Sequence, residues 1–175
     1  MKVESVTTPW RHWIIDEFLP ESDYLHLRNW FDDQPAMTQA ERVDSDDMAI
    51  PKSKYPNEIL DPLHGSFLEA MSYTNWRGFG RIAYQLDRML PNESYFKTHC
   101  DSPSKLASLV LYVGEPNKGT FIHESEDSEP LYEIPWVENR AMLFIVEQGV
   151  TWHSFNNFDT NTPRCTVLIN VRNCT

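Results

Sequence analysis

The C-terminal half of the chain is built from short apolar segments separated by turn-forming residues, and this alternation restricts the fold more than any other feature. Clusters such as LPNE, GEPNKG and DTNTP contain the glycine, proline, asparagine and aspartate that turns require. Between them lie eight runs whose composition is typical of β-strands: RIAYQLDRML, YFKTHCD, KLASLVLYV, GTFIHES, PLYEIP, RAMLFIVEQ, TWHSF and RCTVLINVRN. Eight short strands in about 95 residues predict a jelly roll or a small barrel.

A helical region precedes the strands. Between Asp16 and Met71 apolar residues recur at helical spacing, and PESD and NEILDP supply residues that commonly cap helices. We therefore expect two or three helices, packed against the outside of one of two facing antiparallel sheets. A chain of 175 residues is long enough for one well-buried core. The prediction is a single domain, with a helical support region at 1–80 and a strand core at 81–175.

The formal net charge of −11 disfavours several kinds of partner. Nucleic-acid binding draws most of its affinity from lysine and arginine, and anionic membrane surfaces attract the same residues. No apolar stretch approaches the roughly 20 residues of a membrane span, and the N-terminus lacks the apolar segment of a signal peptide. The three cysteines form no CxxC pair and suit reduced thiols. We expect a cytoplasmic protein that binds neither nucleic acid nor membranes.

A histidine and an aspartate two positions apart, His99 and Asp101, lie just before the apolar run KLASLVLYV. On a strand such residues project from the same face, so both side chains would point at one centre. The segment GVTWHSF offers His153 as a third group from a distant strand. Two histidines and one carboxylate form the facial triad that leaves open positions on Fe(II) in oxygen-activating enzymes. A lone HxD also occurs by chance, and His153 could instead cap a core aromatic ring.

Three further side chains are candidates for binding a carboxylate near this triad. Arg164 opens the otherwise apolar run RCTVLINV, and its forked donors match a carboxylate in bidentate geometry. The alternative for Arg164 is a surface ion pair. Tyr112 could offer its phenol to the same carboxylate or could be ordinary core. Lys105 is a further candidate cation, although a loop lysine usually faces solvent.

Taken together, these segments resemble the iron and 2-oxoglutarate dependent oxygenases, especially the prolyl-hydroxylase-like branch. The matching text is HCD at 99–101, KLASLVLYV, KGT at 118–120, ENRAMLFIVEQGVTWHSF and TPRCTVLINV, in this order. The resemblance covers the strand region and leaves the first 75 residues or so unmatched. Many relatives carry two glycines where this chain has only Gly119 after Lys118, which leaves the local turn uncertain but not the metal site.

The resemblance implies a mainly β fold with N-terminal α-helices, a double-stranded β-helix of the jelly-roll, cupin-like kind. It implies that His99, Asp101 and His153 bind Fe(II), that Arg164 pairs with the distal carboxylate of 2-oxoglutarate, and that Tyr112 assists it. Lys105 remains a further candidate for that carboxylate. With O2 as the third component, such a dioxygenase hydroxylates an unactivated C–H bond of a small-molecule or peptidyl substrate and forms succinate and CO2.

Two other functions stay open. One is a cupin-like metalloenzyme, an isomerase or a dioxygenase that does not use 2-oxoglutarate, because Asn157 follows His153 at a spacing loosely like the second cupin motif. The first cupin motif requires HxH, however, and this chain has HxD. The other is a metal-free jelly-roll module that binds a sugar or a peptide. Loops at 36–56, 102–105 and 123–132 are expected to border the site, and their acidic residues favour a neutral or cationic substrate.

Overall fold

The described part of the chain is mainly β, with two helices between the strands that we number β2 and β3. The computed structural model describes residues 1–36, 55–92 and 95–174, so most of the predicted loop at 36–56 lies outside the described residues. The helices are α1 (Glu21–Asp32) and α2 (Asn57–Ser72). The strands are β1 (Lys2–Val6), β2 (His12–Asp16), β3 (Arg81–Met89), β4 (Tyr95–His99), β5 (Lys105–Val113), β6 (Thr120–Ile122), β7 (Tyr132–Ile134), β8 (Ala141–Ile145), β9 (His153–Asn156) and β10 (Arg164–Arg172).

The strands form two antiparallel sheets. The larger sheet has the order β1-β2-β8-β5-β10-β3, and the smaller one has the order β4-β9-β6-β7. Each of the eight strands from β3 onward coincides with one of the eight segments expected from the sequence, so that prediction is confirmed. Because neighbours in each sheet are distant in sequence, residues from several segments are brought to the space between the sheets.

The expectation that residues 1–80 are helical is wrong for the first sixteen residues, which contribute β1 and β2 to the edge of the larger sheet through the pairing of β2 with β8. The reason lies in burial. Trp13 and Ile15 of β2 join the core under the helices, whereas Ile14 packs against the cluster on the other face. A strand that is covered on both faces lacks the alternation of polar and apolar residues by which strands are recognised.

Both helices cover one face of the larger sheet, as the sequence predicted. Buried side chains of α1 and α2 form one cluster with β-strand residues from the centre of that sheet. The helical members include Leu27, Phe31, Leu60, Leu63 and Phe67, and the strand members include Leu109, Leu143, Val167 and Ile169. This is the apolar face that the strands cannot bury among themselves.

The opposite face of the larger sheet looks toward the smaller sheet. Tyr112 and Phe144 of the larger sheet share a second buried cluster with Ile122 and Ile134 of the smaller one. Alternate residues of β10 therefore have different surroundings: Cys165, Val167, Ile169 and Val171 face the helices, and the residues between them line a cavity between the sheets. No helix in the described part of the chain is long and apolar enough to cross a membrane.

Removing the ring of Phe67 tests the contact between α2 and the larger sheet. Phe67 is 1% exposed, whereas its neighbour Leu68 is 52% exposed. We expect Phe67→Ala to lower the free energy of unfolding by about 3–5 kcal/mol, because a buried ring is lost and a cavity remains. Leu68→Ala, the matched control, should change it by less than about 0.5 kcal/mol. Urea denaturation followed by circular dichroism measures both, and equal effects would contradict the helix placement.

Candidate metal centre

Two histidines face each other across the smaller sheet. His99 is the last residue of β4, His153 is the first residue of β9, and the two are direct partners in the antiparallel register. Their ring centroids are 4.3 Å apart. Residues that are opposite each other on one face of a sheet have Cβ atoms about 4.5–5.5 Å apart, which explains why both imidazoles reach the same place.

Asp101 completes the group from outside the strand. We expected His99 and Asp101 to project from one strand, but β4 ends at His99 and its register with β9 is irregular between Phe96 and His99. Asp101 lies in the following loop, and its carboxylate still turns inward. One ligand atom from each of the three residues lies within 4.8 Å of the other two, and the group could hold a metal ion.

The hydrogen bonds of both imidazoles leave the same nitrogen available. His99 Nδ1 lies 2.8 Å from the carbonyl oxygen of Lys97, and His153 Nδ1 lies 3.0 Å from that of Thr151. A carbonyl oxygen only accepts hydrogen bonds, so Nδ1 carries the proton in both rings. Nε2 then keeps its lone pair, which is the arrangement in which a histidine coordinates a metal.

Burial keeps these imidazoles neutral. Desolvation, with the neighbouring His153 as a second cause, lowers the pKa of His99 to about 4. Desolvation also lowers the pKa of His153, which is buried. At neutral pH both rings are therefore in the uncharged form that a metal ion requires.

Asp101, by contrast, stays ionised although it is buried. Burial acts to raise its pKa, but the charge of Lys105 and the hydrogen bonds from Lys105 and Ser108 outweigh burial and lower it to about 2. Lys105 Nζ lies 2.6 Å from Oδ1, and the Ser108 hydroxyl donates to Oδ2. The structure thus places Lys105, a sequence candidate for co-substrate binding, against a residue of the triad.

Sequence reasoning missed three polar residues that form hydrogen bonds around Asp101. Ser108 on β5 and Asn170 on β10 are register partners, and their side chains lie 2.8 Å apart. Gln148 donates a hydrogen bond of 2.7 Å to the backbone oxygen of Asp101. A signal was present for Ser108 and Asn170, since each is a polar residue in the middle of an apolar strand, where an unpaired polar group would be costly.

Arg164 is buried rather than on the surface, since it is only 2% exposed and lines the cavity. Its guanidinium carbon lies 4.4 Å from the ring centroid of Phe155 and 5.0 Å from that of Trp136. It also donates hydrogen bonds to the backbone oxygens of Lys118 and Gly119. Rings and carbonyls together fix the plane of the guanidinium group.

Tyr112 is fully buried one layer behind the cavity wall. Its ring stacks on Trp136 with centroids 4.7 Å apart, and its hydroxyl donates to Thr120 Oγ1 at 2.8 Å. Among the described residues it is Thr120, and not Tyr112, that lines the cavity. Any influence of Tyr112 on a ligand would therefore pass through Thr120, the aromatic stack or Arg164, whose guanidinium carbon lies 5.9 Å from the centroid of the Tyr112 ring.

The triad and Arg164 belong to one cavity of about 470 Å³ between the two sheets. This volume lies within the range of pockets that hold small ligands, about 300–1,000 Å³. Apolar and aromatic side chains form part of its wall: Phe96, Val110, Phe144, Phe155 and Leu168. The cavity thus combines a potential metal centre, a buried guanidinium group and walls that exclude water.

Comparison with known proteins shows likeness at the level of fold. No family model matches the sequence, and no curated protein matches it. The structure is similar to a viral collagen prolyl hydroxylase from Paramecium bursaria Chlorella virus-1, with a TM-score of 0.61 and 16% identity over 94% of this chain and 90% of that chain. It is similar to a Pseudomonas putida prolyl-4-hydroxylase, with a TM-score of 0.62 and 16% identity over 94% and 88% of the two chains.

The ion pair of Asp101 can be tested by removing its cation. In Lys105→Met we expect the pKa of Asp101 to rise above about 2, because burial then acts against fewer stabilising partners. The carboxylate stabilises the fold above its usual pKa of 3.8, and this stability is lost as the pH falls through the folded pKa. The stability that the ionised carboxylate contributes should therefore be smaller in the variant, and its loss should be complete at a higher pH. NMR titration of the carboxyl carbon measures the shift.

The exposed Lys97 on β4 provides the matched control, because Lys97→Met removes the same charge outside the cavity lining. The titration midpoint of Asp101 in Lys97→Met should equal that of the wild type. An unchanged midpoint in Lys105→Met would mean that Lys105 is not needed to hold the carboxylate in its ionised form, and that Ser108 is the main stabilising partner.

Proposed function

We propose that the protein is an Fe(II)- and 2-oxoglutarate-dependent dioxygenase that hydroxylates an unactivated C–H bond of a small-molecule or peptidyl substrate. One observation carries this proposal: two neutral imidazoles and one ionised carboxylate converge within 4.8 Å at the wall of a cavity. Two histidines and a carboxylate that leave open coordination positions are the donor set of non-haem Fe(II) oxygenases. The two structural neighbours, both named as prolyl hydroxylases, support the same class of chemistry.

We infer that the paired sheets are a double-stranded β-helix and that the whole chain is one domain. The facing antiparallel sheets, with the cavity between them and helices outside one of them, support this architecture. Residues 81–175 would then form the catalytic core, and the preceding residues would support it and extend its larger sheet.

The donor set of the triad fits Fe(II). His99 and His153 would bind the metal through Nε2, because their Nδ1 atoms are hydrogen-bonded to carbonyl oxygens. Asp101 would bind as an anion, a state that Lys105 and Ser108 stabilise in the absence of metal. Since both imidazoles are neutral at physiological pH, no proton has to leave a histidine before the metal binds.

Arg164 is the residue that we assign to the distal carboxylate of 2-oxoglutarate. Its guanidinium group lines the cavity and is fixed by Phe155 and Trp136, so its ordering is complete before the ligand arrives. A planar fork of donors suits a carboxylate better than a point charge does. Thr120, which accepts a hydrogen bond from Tyr112, can direct its own hydroxyl proton to the same carboxylate.

Bound Fe(II), 2-oxoglutarate and O2 supply the oxidising chemistry, in which one oxygen atom enters the substrate as hydroxyl while 2-oxoglutarate is converted to succinate and CO2. The chain's own contribution is placement and protection. Arg164 and Thr120 hold the co-substrate, the triad holds the metal, and the rings of Phe96, Phe144 and Phe155 keep water from the reacting centre. No protein base with a matched pKa is needed.

Loss of a triad histidine should remove metal binding while the fold is preserved. We expect His99→Ala and His153→Ala to abolish measurable Fe(II) binding in anaerobic equilibrium dialysis, because two donors hold the ion far less well than three. His26→Ala on the exposed side of α1 is the matched control and should bind Fe(II) as the wild type does. Unchanged Fe(II) affinity in both triad variants would mean that the ion binds elsewhere and would contradict the triad as the metal site. Absence of Fe(II) binding in the wild type would favour the metal-free binding module.

The co-substrate assignment is tested with 2-oxoglutarate and Mn(II), so that no turnover is required. We expect Arg164→Ala to raise the dissociation constant for 2-oxoglutarate roughly tenfold to a hundredfold, because a charge-assisted pair is lost. Arg164→Lys should recover part of the loss, and Tyr112→Phe should cost less than either. Calorimetry measures all three, with Mn(II) affinity as the internal control. Unchanged 2-oxoglutarate affinity in Arg164→Ala would move the role to Lys105 or exclude this co-substrate.

A further inference from the structure

A pair of cations lies at the end of the cavity away from Arg164. Arg172, the last residue of β10, is the register partner of Lys105, the first residue of β5. Both side chains line the cavity. We call these two residues the cationic mouth, because Ser102 and Ser104 beside them are exposed.

Arg164 and Arg172 lie at opposite ends of β10, and so at opposite ends of the cavity. Every second residue of this strand lines the cavity: Arg164, Thr166, Leu168, Asn170 and Arg172. Eight residues of strand span roughly 26 Å, so the backbones of the two arginines are far apart. Arg164 is 2% exposed at the closed end, whereas Arg172 is only partly buried. The cationic mouth is therefore a different site from the one assigned to 2-oxoglutarate.

The charge of the cavity is opposite to that of the protein. The chain carries a formal net charge of −11, yet the described cavity lining has the three cations Lys105, Arg164 and Arg172 and only one carboxylate, Asp101. No acidic residue of the loop at 123–132 lines the cavity. The groups that contact a ligand directly are positive.

The side chain of Arg172 lacks protein partners. Among the described residues it makes no hydrogen bond or ion pair, and its Nε atom is buried without an acceptor. A buried donor without a partner is costly, and so are like charges placed opposite each other in a sheet. Lys105 carries three N–H donors, of which Asp101 Oδ1 takes one. An anion between Arg172 and Lys105 would satisfy both side chains.

We propose that the cationic mouth binds an anionic group, a carboxylate or a phosphate, of the primary substrate, so that this enzyme acts on acidic molecules or on peptides with an acidic side chain. The assignment rests on the proposed function, since it takes Arg164 as the site of the co-substrate. Arg172 is the specificity-determining residue in this arrangement. It anchors the substrate at the open end and leaves another part of the molecule to reach the triad.

Acetate and inorganic phosphate are the probes, and the NMR signal of the Arg172 Nε–H group is the readout. We expect this signal to shift in a saturable manner with at least one of the two anions, and the better anion identifies the substrate group as carboxylate or phosphate. Arg81, the register partner of Arg172 on β3, is exposed and outside the cavity lining, so its signal is the internal control. A response at Arg172 no larger than that at Arg81 overturns the proposal.

Variants of Arg172 and competition by 2-oxoglutarate test whether the anion binds at the cationic mouth. Arg172→Gln should raise the dissociation constant for the more tightly bound anion roughly tenfold, and Arg172→Lys should raise it less. Arg81→Gln should leave this dissociation constant unchanged. Retained affinity in Arg172→Gln overturns the proposal. With saturating Zn(II) and 2-oxoglutarate, the anion should still bind; displacement of the anion by 2-oxoglutarate would make the cationic mouth the co-substrate site and also overturns it.

The same titration separates this proposal from the proposed function. If the protein binds neither Zn(II) nor 2-oxoglutarate, the oxygenase assignment fails. The anion response of Arg172 in the free protein is then judged by itself, and its presence still identifies an anion site in the cavity. If metal and 2-oxoglutarate bind at the triad and at Arg164 but Arg172 does not respond, only the substrate assignment fails.

Discussion

The larger sheet must be covered on both faces, and the rest of the structure depends on this constraint. Its central strands β5 and β10 are apolar on the side of the helices, where α1 and α2 bury them. On the other side the smaller sheet covers them only in part, and the remaining space is the cavity. Residues of β10 therefore alternate between two environments. Odd-numbered positions from Cys165 to Val171 belong to the core, and even-numbered positions from Arg164 to Arg172 line the cavity.

Burial of the site then decides the charge of each ionisable group. Desolvation disfavours the charged form of His99 and His153 and outweighs Asp101 and the backbone oxygens, which favour it, so both rings remain neutral. Desolvation acts against the charge of Asp101 too, but Lys105 and Ser108 more than compensate. The same low-dielectric space therefore holds two neutral donors and one anion, a donor set that can bind a divalent metal ion. Lys105 has two roles here, because it stabilises this carboxylate and also stands beside Arg172 at the open end.

The cations of the cavity are held by different means at its two ends. Arg164 is enclosed by Phe155, Trp136 and backbone carbonyls, so its position is fixed by the protein. Arg172 has no such enclosure and keeps a buried Nε atom without an acceptor. A preorganised cation suits a co-substrate that is the same in every turnover, and a less constrained one suits the variable end of a substrate. Apolar walls between them give both charges a medium in which electrostatic contacts are stronger than in water.

The sequence by itself determined the eight C-terminal strands, a helical region before them and the candidates His99, Asp101, His153 and Arg164, because strand and turn composition and residue spacing are local properties. Only the tertiary structure decided the rest. The strand β2 was missed because it is covered on both faces. Asp101 lies outside β4, whose register with β9 is irregular. The packing of the strands decides three contacts that the sequence did not predict: Lys105 with Asp101, Tyr112 with Thr120, and Arg172 with Lys105. Strand order is set by the burial of whole faces, and no short segment of sequence contains that information.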